Sequence, residues 1–276
     1  GLLAVLGLSA VLSLADSPNA LALDVELGYS LRAVSPDAWN SFGGMDPGAT
    51  AWDSAPASPK LGSLPEIRAT AFAGRTKWGK WGGSIALLLP KTLETSGTAT
   101  NAATQSKRTS IGGLRIGPDV RWFPRGESGS VRWFAGARIG LGLFYGSQTF
   151  ENPSESTLSY RAWQTELAAS AGAEIPAGPI RIVVEGGYSI DHSSYFTSTG
   201  TSGSAYSDFP SGTRISTNTD FGREDLRFRG SGFFAALGVQ MTLGSEPTPT
   251  AAPAVVPRGI DPIPESPSGA VPDPVP

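Results

Sequence analysis

The residue types with the clearest potential for chemistry surround the single histidine of the chain, in the sequence Asp191-His192-Ser193-Ser194. Histidine, serine and a carboxylate can together hydrolyse an ester, with the histidine acting as general base for the serine. No partner carboxylate at a suitable position is evident, and a serine-rich stretch generates this spacing easily. We therefore predict an exposed loop histidine and no catalytic residue. No metal cluster, phosphate loop or carboxylate pair stands out either, so we expect no metal site and no cofactor.

A larger set of charged residues alternates with apolar residues, most clearly in Val131–Tyr145. There the odd-numbered residues are apolar or aromatic, whereas the even-numbered residues include Arg132, Arg138 and several glycines. A period of two over this length predicts a strand, because successive side chains of an extended chain point to opposite faces. One apolar face and one polar face are typical of a strand between lipid and a narrow lumen.

Seven further segments alternate in the same way, and short and long connectors take turns between the eight. The fold class that we predict is all-β, an eight-stranded antiparallel transmembrane up-and-down β-barrel over residues 23–243. Short periplasmic turns and long extracellular loops in such barrels predict that both termini are periplasmic. The expected outer loops are residues 35–65, 90–110, 146–159 and 191–225. The other predicted strands are Asp24–Val34, Glu66–Gly74, Lys80–Leu89, Ile111–Phe123, Tyr160–Ile175, Ile180–Ile190 and Leu226–Leu243.

Aromatic residues on the apolar face lie at the strand ends. Such residues favour the headgroup level, so we predict two girdles that flank the hydrocarbon core. Surface aromatics on a soluble β-sandwich are the alternative, but a sandwich needs neither two aromatic bands nor alternating connector lengths. The girdle next to the short turns would comprise Trp81, Trp122 and Trp133, and the girdle next to the long loops Tyr145, Trp163 and Tyr188.

Charged residues of both signs are assigned to the lumen. Eight strands leave an interior just wide enough for side chains, and an unpaired buried charge is costly. We therefore favour a salt-bridged plug, with Arg138→Ala expected to destabilise the fold. A gate for ions or small solutes is the alternative. The predicted lumen network comprises Glu26, Arg32, Arg68, Arg115, Asp119, Arg121, Arg132, Arg138, Glu166, Glu174, Arg181 and Glu185, with Glu66 on the same face.

Composition and the two ends of the sequence add limits on partners and location. A net charge of −3 suggests no nucleic-acid partner. The apolar start and the sequence Ala20-Leu21-Ala22 predict the remnant of a signal peptide over residues 1–22. Residues 244–276 are about one-third proline, which predicts a disordered, extended periplasmic tail. This tail would be either a bland spacer or a contact to a periplasmic or cell-wall partner.

Over roughly Leu23–Leu243 the chain resembles the OmpA/OmpX-type family of eight-stranded outer-membrane barrels. The stretch Gly238–Leu243 is similar to their C-terminal assembly signal, but it ends in leucine instead of an aromatic residue. The resemblance implies fold and location: an outer-membrane protein in contact with membrane lipid and lipopolysaccharide. His-x-Ser at an outer rim is also similar to the lipid A deacylases, and this makes a lipid A-modifying hydrolase the third hypothesis. The first is a non-enzymatic anchor or surface-display protein with a plugged lumen, and the second is a narrow pore or a carrier of small or hydrophobic molecules.

Overall fold

The computed structural model describes residues 22–34, 36, 40, 60–98, 104–125, 130–152, 154–219 and 222–244. Within these ranges the chain forms one closed ring of eight antiparallel strands, in which each strand pairs with its neighbours in sequence and the last pairs with the first. The ring comprises β1 (Leu23–Ala33), β2 (Ser63–Thr76), β3 (Gly79–Thr98), β4 (Thr104–Trp122), β5 (Arg132–Asn152), β6 (Ser154–Ala177), β7 (Ile180–Tyr195) and β11 (Arg227–Leu243). The predicted fold class is therefore confirmed. The described part contains no helix with the length and hydropathy of a membrane span.

Burial alternates along the strands as the sequence pattern predicts. On β5, Phe134 and Phe144 are buried inside the ring, whereas Ile139 and Leu141 are exposed on its outer surface. Glycine allows the backbones to approach where the wall curves. A Cβ atom on Gly142 would lie 1.9 Å from the carbonyl oxygen of Leu114 on the neighbouring strand. The strand β4 passes through Pro118, which faces outward, without a change of register.

The ends of the barrel differ in their connections. Leu23 at the start of β1 pairs with Leu243 at the end of β11, and the short turns after β2, β4 and β6 lie at this same end. We call it the short-turn end and the opposite one the long-loop end. The turn between β6 and β7 contains Gly178 at φ 68°, a conformation that glycine adopts without strain.

At the long-loop end the strands are longer than the sequence pattern predicts. Residues 90–98, 104–110 and most of 146–159, all predicted as loops, continue β3, β4, β5 and β6 as paired strands. The prediction was wrong because these extensions are rich in Ser and Thr, so that their two faces differ little in hydropathy although the backbone pairing continues. Together they form a sheet that rises beyond the upper aromatic residues, and we call it the projecting sheet.

The predicted loop over residues 191–225 is also structured. It contains the end of β7 and three short strands, β8 (Thr197–Ser202), β9 (Ser216–Thr219) and β10 (Gly222–Asp225). The strand β8 pairs with β6 and so widens the projecting sheet. Residues 197–219, which we call the capping segment, pack their apolar side chains into the mouth of the barrel.

The predicted signal segment (1–22) and the predicted proline-rich tail (244–276) lie outside the described residues, except for Ala22 and Gly244. Their roles stay predictions.

Candidate functional site

The central lumen holds a compact cluster of three carboxylates and two arginines from five strands. Arg115 on β4 bonds to Asp191 at 2.7 Å and to Glu166 at 3.2 Å, and it also contacts Glu66. Arg32 on β1 bonds to the same three carboxylates, with a distance of 3.3 Å to Glu66. Each arginine therefore bridges several strands across the lumen, and we call these five residues the central ion cluster.

A second group of ion pairs lies nearer the short-turn end. The guanidinium of Arg121 makes two hydrogen bonds to Glu26, at 2.6 and 2.9 Å, which is the bidentate geometry that makes such pairs strong. Lys80 and Arg132 both bond to Glu174, each at 2.5 Å. The pairs of Arg121 with Glu26 and of Lys80 with Glu174 connect strands across the lumen, whereas Arg132 and Glu174 are partners in register on the neighbouring strands β5 and β6.

Arginines also connect the two groups. Arg138 lies 3.3 Å from Glu166 of the central ion cluster and 3.9 Å from both Asp119 and Glu185 towards the short-turn end. Arg68 bonds to Glu185 at 3.1 Å. The lumen charges thus form one connected network along the barrel axis.

The structure places the predicted lumen residues as follows. Arg181 is half-buried at the start of β7. The other eleven side chains are buried and lie in the network: Glu26, Arg32, Arg68, Arg115, Asp119, Arg121, Arg132, Arg138, Glu166, Glu174 and Glu185.

Sequence reasoning missed Lys80, Asp191 and Asp24 as members of this network, in which Asp24 lies 3.5 Å from Lys80. Lys80 precedes the outward Trp81, so strand alternation already carried the signal for an inward side chain. Asp191 follows the residue at which β7 was predicted to end. Since the strand continues to Tyr195, Asp191 takes the inward position.

Aromatic rings close the lumen towards the short-turn end. Arg121 lies over the ring of Phe134 at 4.4 Å and over that of Phe72 at 5.0 Å. Phe123 packs edge-on against Phe134 with ring centroids 6.3 Å apart. These rings cover the charged groups with apolar surface and add cation–π contacts.

An apolar cluster fills the long-loop end. Phe144 on β5 packs against Phe228 on β11, with ring centroids 4.6 Å apart, and against Phe196 at 6.3 Å. Tyr206 of the capping segment is buried and donates a hydrogen bond to Gln148 on β5 at 3.0 Å. The mouth of the barrel is therefore filled by its own strands and by the capping segment.

His192 lies outside this network. Asp191 and His192 are neighbours in a strand, so their side chains point to opposite faces: Asp191 is buried in the lumen and His192 is exposed. The residues opposite His192 on the flanking strands are Thr165 and Arg229, and neither carries a carboxylate. The described residues around His192 therefore do not assemble a Ser-His-acid triad. They also contain no group of three or more His, Asp or Glu side chains arranged to hold a metal ion.

The outer wall carries the aromatic residues that the sequence assigned to two girdles. On β5, Trp133 and Tyr145 lie twelve residues apart, and Trp163 on β6 pairs with Leu143 just below Tyr145. At a rise of about 3.4 Å per residue and the usual tilt of about 35–45°, Trp133 and Tyr145 lie roughly 29–33 Å apart along the barrel axis. This spacing fits the apolar band of a bilayer. All six predicted residues are exposed: Trp81, Trp122, Trp133, Tyr145, Trp163 and Tyr188.

Comparisons with known proteins give matches in structure alone. No family model and no curated protein matches the sequence. The chain is similar to Ail, the attachment invasion locus protein of Yersinia pestis, solved in complex with the heparin analogue sucrose octasulfate. The identity is 13%, the match covers 80% of this chain and 97% of Ail, and the TM-score is 0.33.

Two further solved structures match over similar lengths. Neisserial surface protein A is 11% identical, with 80% of this chain and 97% of that chain covered and a TM-score of 0.37. A major outer membrane protein from Thermus thermophilus is 12% identical, with 80% and 99% covered and a TM-score of 0.39. The fold of the present chain follows from its own strand pairing, which closes the eight-stranded ring.

Proposed function

We propose that this protein is a plugged outer-membrane barrel that anchors a surface structure and performs no enzymatic reaction. The observation that carries the proposal is the filling of the lumen at three successive levels. Aromatic rings lie at the short-turn end, an ion-pair network occupies the middle, and an apolar cluster fills the long-loop end. A solute would have to displace all three layers.

The structure presented outward would be the projecting sheet with its capping segment. Its outer face carries ladders of hydroxyl side chains, such as Ser110–Ser147 at 3.1 Å and Thr149–Thr157 at 3.2 Å. Hydroxyl pairs across strands suit a sheet surface in contact with water or polar headgroups, whereas the band between the girdles is apolar. This contrast supports the long-loop end outside and both termini in the periplasm.

The current through a planar lipid bilayer tests whether the lumen is plugged. We expect the refolded protein to insert without steady conductance. Insertion must be shown separately, by protection of the barrel from added protease in vesicles made from the same lipid. Reproducible open steps with the inserted protein would refute the plug and favour the narrow pore.

Cysteine labelling tests the orientation, since the chain contains no cysteine of its own. Ser211 is exposed in the capping segment, and Ser130 is exposed next to the turn before β5. A membrane-impermeant maleimide added to intact cells should label Ser211→Cys, but should label Ser130→Cys only after the outer membrane is permeabilised. The reverse pattern would overturn the proposed orientation.

A further inference from the structure

An irregularity in the outer wall creates a groove near the upper girdle. The ladder between β6 and β7 ends at the pair Gln164–Ser193, and the pairing of β6 resumes with β8 at Arg161–Thr197. Three residues at the junction of β7 and β8, 194–196, thus face two residues of β6, 162–163. The bulge leaves a groove of about 360 Å³ on the outside of the barrel.

The lower part of the groove is apolar and continues the lipid-facing wall. Leu143, Ala162 and Trp163 line it, and Trp163 is 68% exposed. Leu143 and Trp163 lie opposite each other on β5 and β6, at the level of the upper girdle. An occupant would therefore meet both the hydrocarbon of the membrane and the headgroup layer above it.

The upper part of the groove is polar and cationic. Arg161 is exposed on its rim and forms no ion pair within the described residues. Ser194, Tyr195 and Thr197 complete the lining.

A second arginine fixes one wall of the groove. Arg214 stacks on the ring of Tyr195 at 3.8 Å and donates a hydrogen bond to its hydroxyl at 2.9 Å. Asp225 lies 3.6 Å from Arg214 and offsets its charge. Arg214 therefore holds Tyr195 in place, and Arg161 is the cation that stays available to a ligand.

One further positive side chain, that of Arg229, lies on the same outer face of the barrel. Arg229 on β11 pairs in register with His192 on β7, and both are exposed. His192 is in turn opposite Thr165, two residues from Trp163 on β6. The positive charge thus extends along the headgroup level on this side of the barrel.

We propose that this groove binds a phosphorylated, acylated glycolipid of the outer leaflet, such as the lipid A part of lipopolysaccharide. Arg161 would bind a phosphate group, because arginine and phosphate form strong charge-assisted hydrogen bonds. The hydroxyls of Ser194, Tyr195 and Thr197 lie where the saccharide would sit, and an acyl chain would run along Leu143 and Trp163. The inference rests on the proposed orientation, which places this girdle in the outer leaflet.

The test is native mass spectrometry of the protein in neutral detergent micelles, titrated with diphosphorylated lipid A. Parallel titrations use dephosphorylated lipid A and phosphatidylglycerol, and inorganic phosphate is added as a competitor. The main variant is Arg161→Gln. The matched control is Arg108→Gln, which removes the same charge from an exposed position on β4, away from the groove.

Loss of one charged hydrogen-bond partner should weaken the binding of diphosphorylated lipid A by about tenfold. We expect this loss for Arg161→Gln and for dephosphorylated lipid A with the unaltered protein, whereas Arg108→Gln should bind like the unaltered protein. Equal losses in both variants, or unchanged binding in Arg161→Gln, would overturn the site. Equal affinity for phosphatidylglycerol would show that any anionic lipid suffices. Competition by millimolar inorganic phosphate would show a site for the headgroup alone, and either result would overturn the proposal.

The orientation can fail independently of the groove. If Ser211→Cys is not labelled on intact cells but Arg161→Gln still loses lipid A binding, the orientation is wrong and the groove is a real site. If labelling succeeds and binding does not depend on Arg161, the orientation stands and the glycolipid site is rejected.

Discussion

Replacement of Arg115 by methionine tests whether the central ion cluster holds the barrel together. Methionine keeps much of the length of the side chain and removes its charge. In the unaltered protein Arg115 contacts Glu66, Glu166 and Asp191, and all four side chains are buried. After the replacement, Arg32 still contacts these three carboxylates, Arg138 still lies near Glu166, and Arg68 lies 4.0 Å from Glu66.

Removal of one partner from a buried ion pair destabilises a protein by about 3–5 kcal/mol, because the other charge is left without compensation. We expect the free energy of unfolding of Arg115→Met to fall by an amount in this range. Adding Glu66→Gln removes one of the stranded carboxylates. The coupling energy between the two substitutions should therefore be about 1–3 kcal/mol in the stabilising direction.

The assay is reversible unfolding by guanidinium in phosphatidylcholine vesicles, followed by tryptophan fluorescence. Arg108→Met is the control, because Arg108 is exposed and pairs with exposed Glu94 at 3.7 Å. Such surface pairs contribute about 0–1 kcal/mol. If Arg115→Met and Arg108→Met unfolded at similar denaturant concentrations, or if Glu66→Gln showed no coupling to Arg115→Met, the network would not be a structural plug.

Three further predictions concern the wall and the mouth of the barrel. Gly142→Ala should prevent folding or strongly destabilise the barrel, because the new Cβ atom would overlap a backbone oxygen of the neighbouring strand. Gly83→Ala should fold normally, because a Cβ atom there meets nothing within 4 Å. The shift in gel mobility between folded and heated protein checks both variants. Leu141→Arg should lower the free energy of unfolding by about 2–4 kcal/mol, because Leu141 is 57% exposed in the middle of the lipid-facing band. Thr149→Arg, on the same face of β5 but beyond the girdle, should change the free energy of unfolding by about 0–1 kcal/mol in the same vesicles. Phe144→Ala should lower the free energy of unfolding by about 3–5 kcal/mol, because Phe144 is fully buried. The same variant should still show no steady bilayer current, because the ion-pair network remains, and a current would show that the apolar cluster alone closes the lumen.

The alternation of apolar and polar side chains along the sequence was sufficient to predict the fold. In β5, the inward Arg138 and the outward Ile139 and Leu141 follow directly from the period of two, and the same rule placed Trp133 and Tyr145 on the outer wall. The rule works because one face of each strand meets lipid and the other a small lumen, so a change of one residue in register would exchange the two environments.

The pattern weakened where this contrast disappears. Beyond the upper girdle both faces of the strands meet polar surroundings or a local core, and the hydroxyl residues of β5 and β6 carry no period that distinguishes a strand from a loop. Backbone pairing alone continues the sheet there, for example from Gly146–Tyr160 to Asn152–Ser154. The inward position of Asp191 could be assigned only from the structure, which shows that β7 continues to Tyr195.

The sequence by itself determined which side chains face the lumen and which face lipid, because this depends only on neighbours in one strand. The tertiary structure decided which lumen charges meet. Arg32 and Asp191 are 159 positions apart in sequence, and no local pattern pairs them. The closure of the ring and the register of its strands bring Arg32 and Arg115 to the same three carboxylates. In the same way, the groove beside Trp163 exists only because residues 194–197 fold against β6.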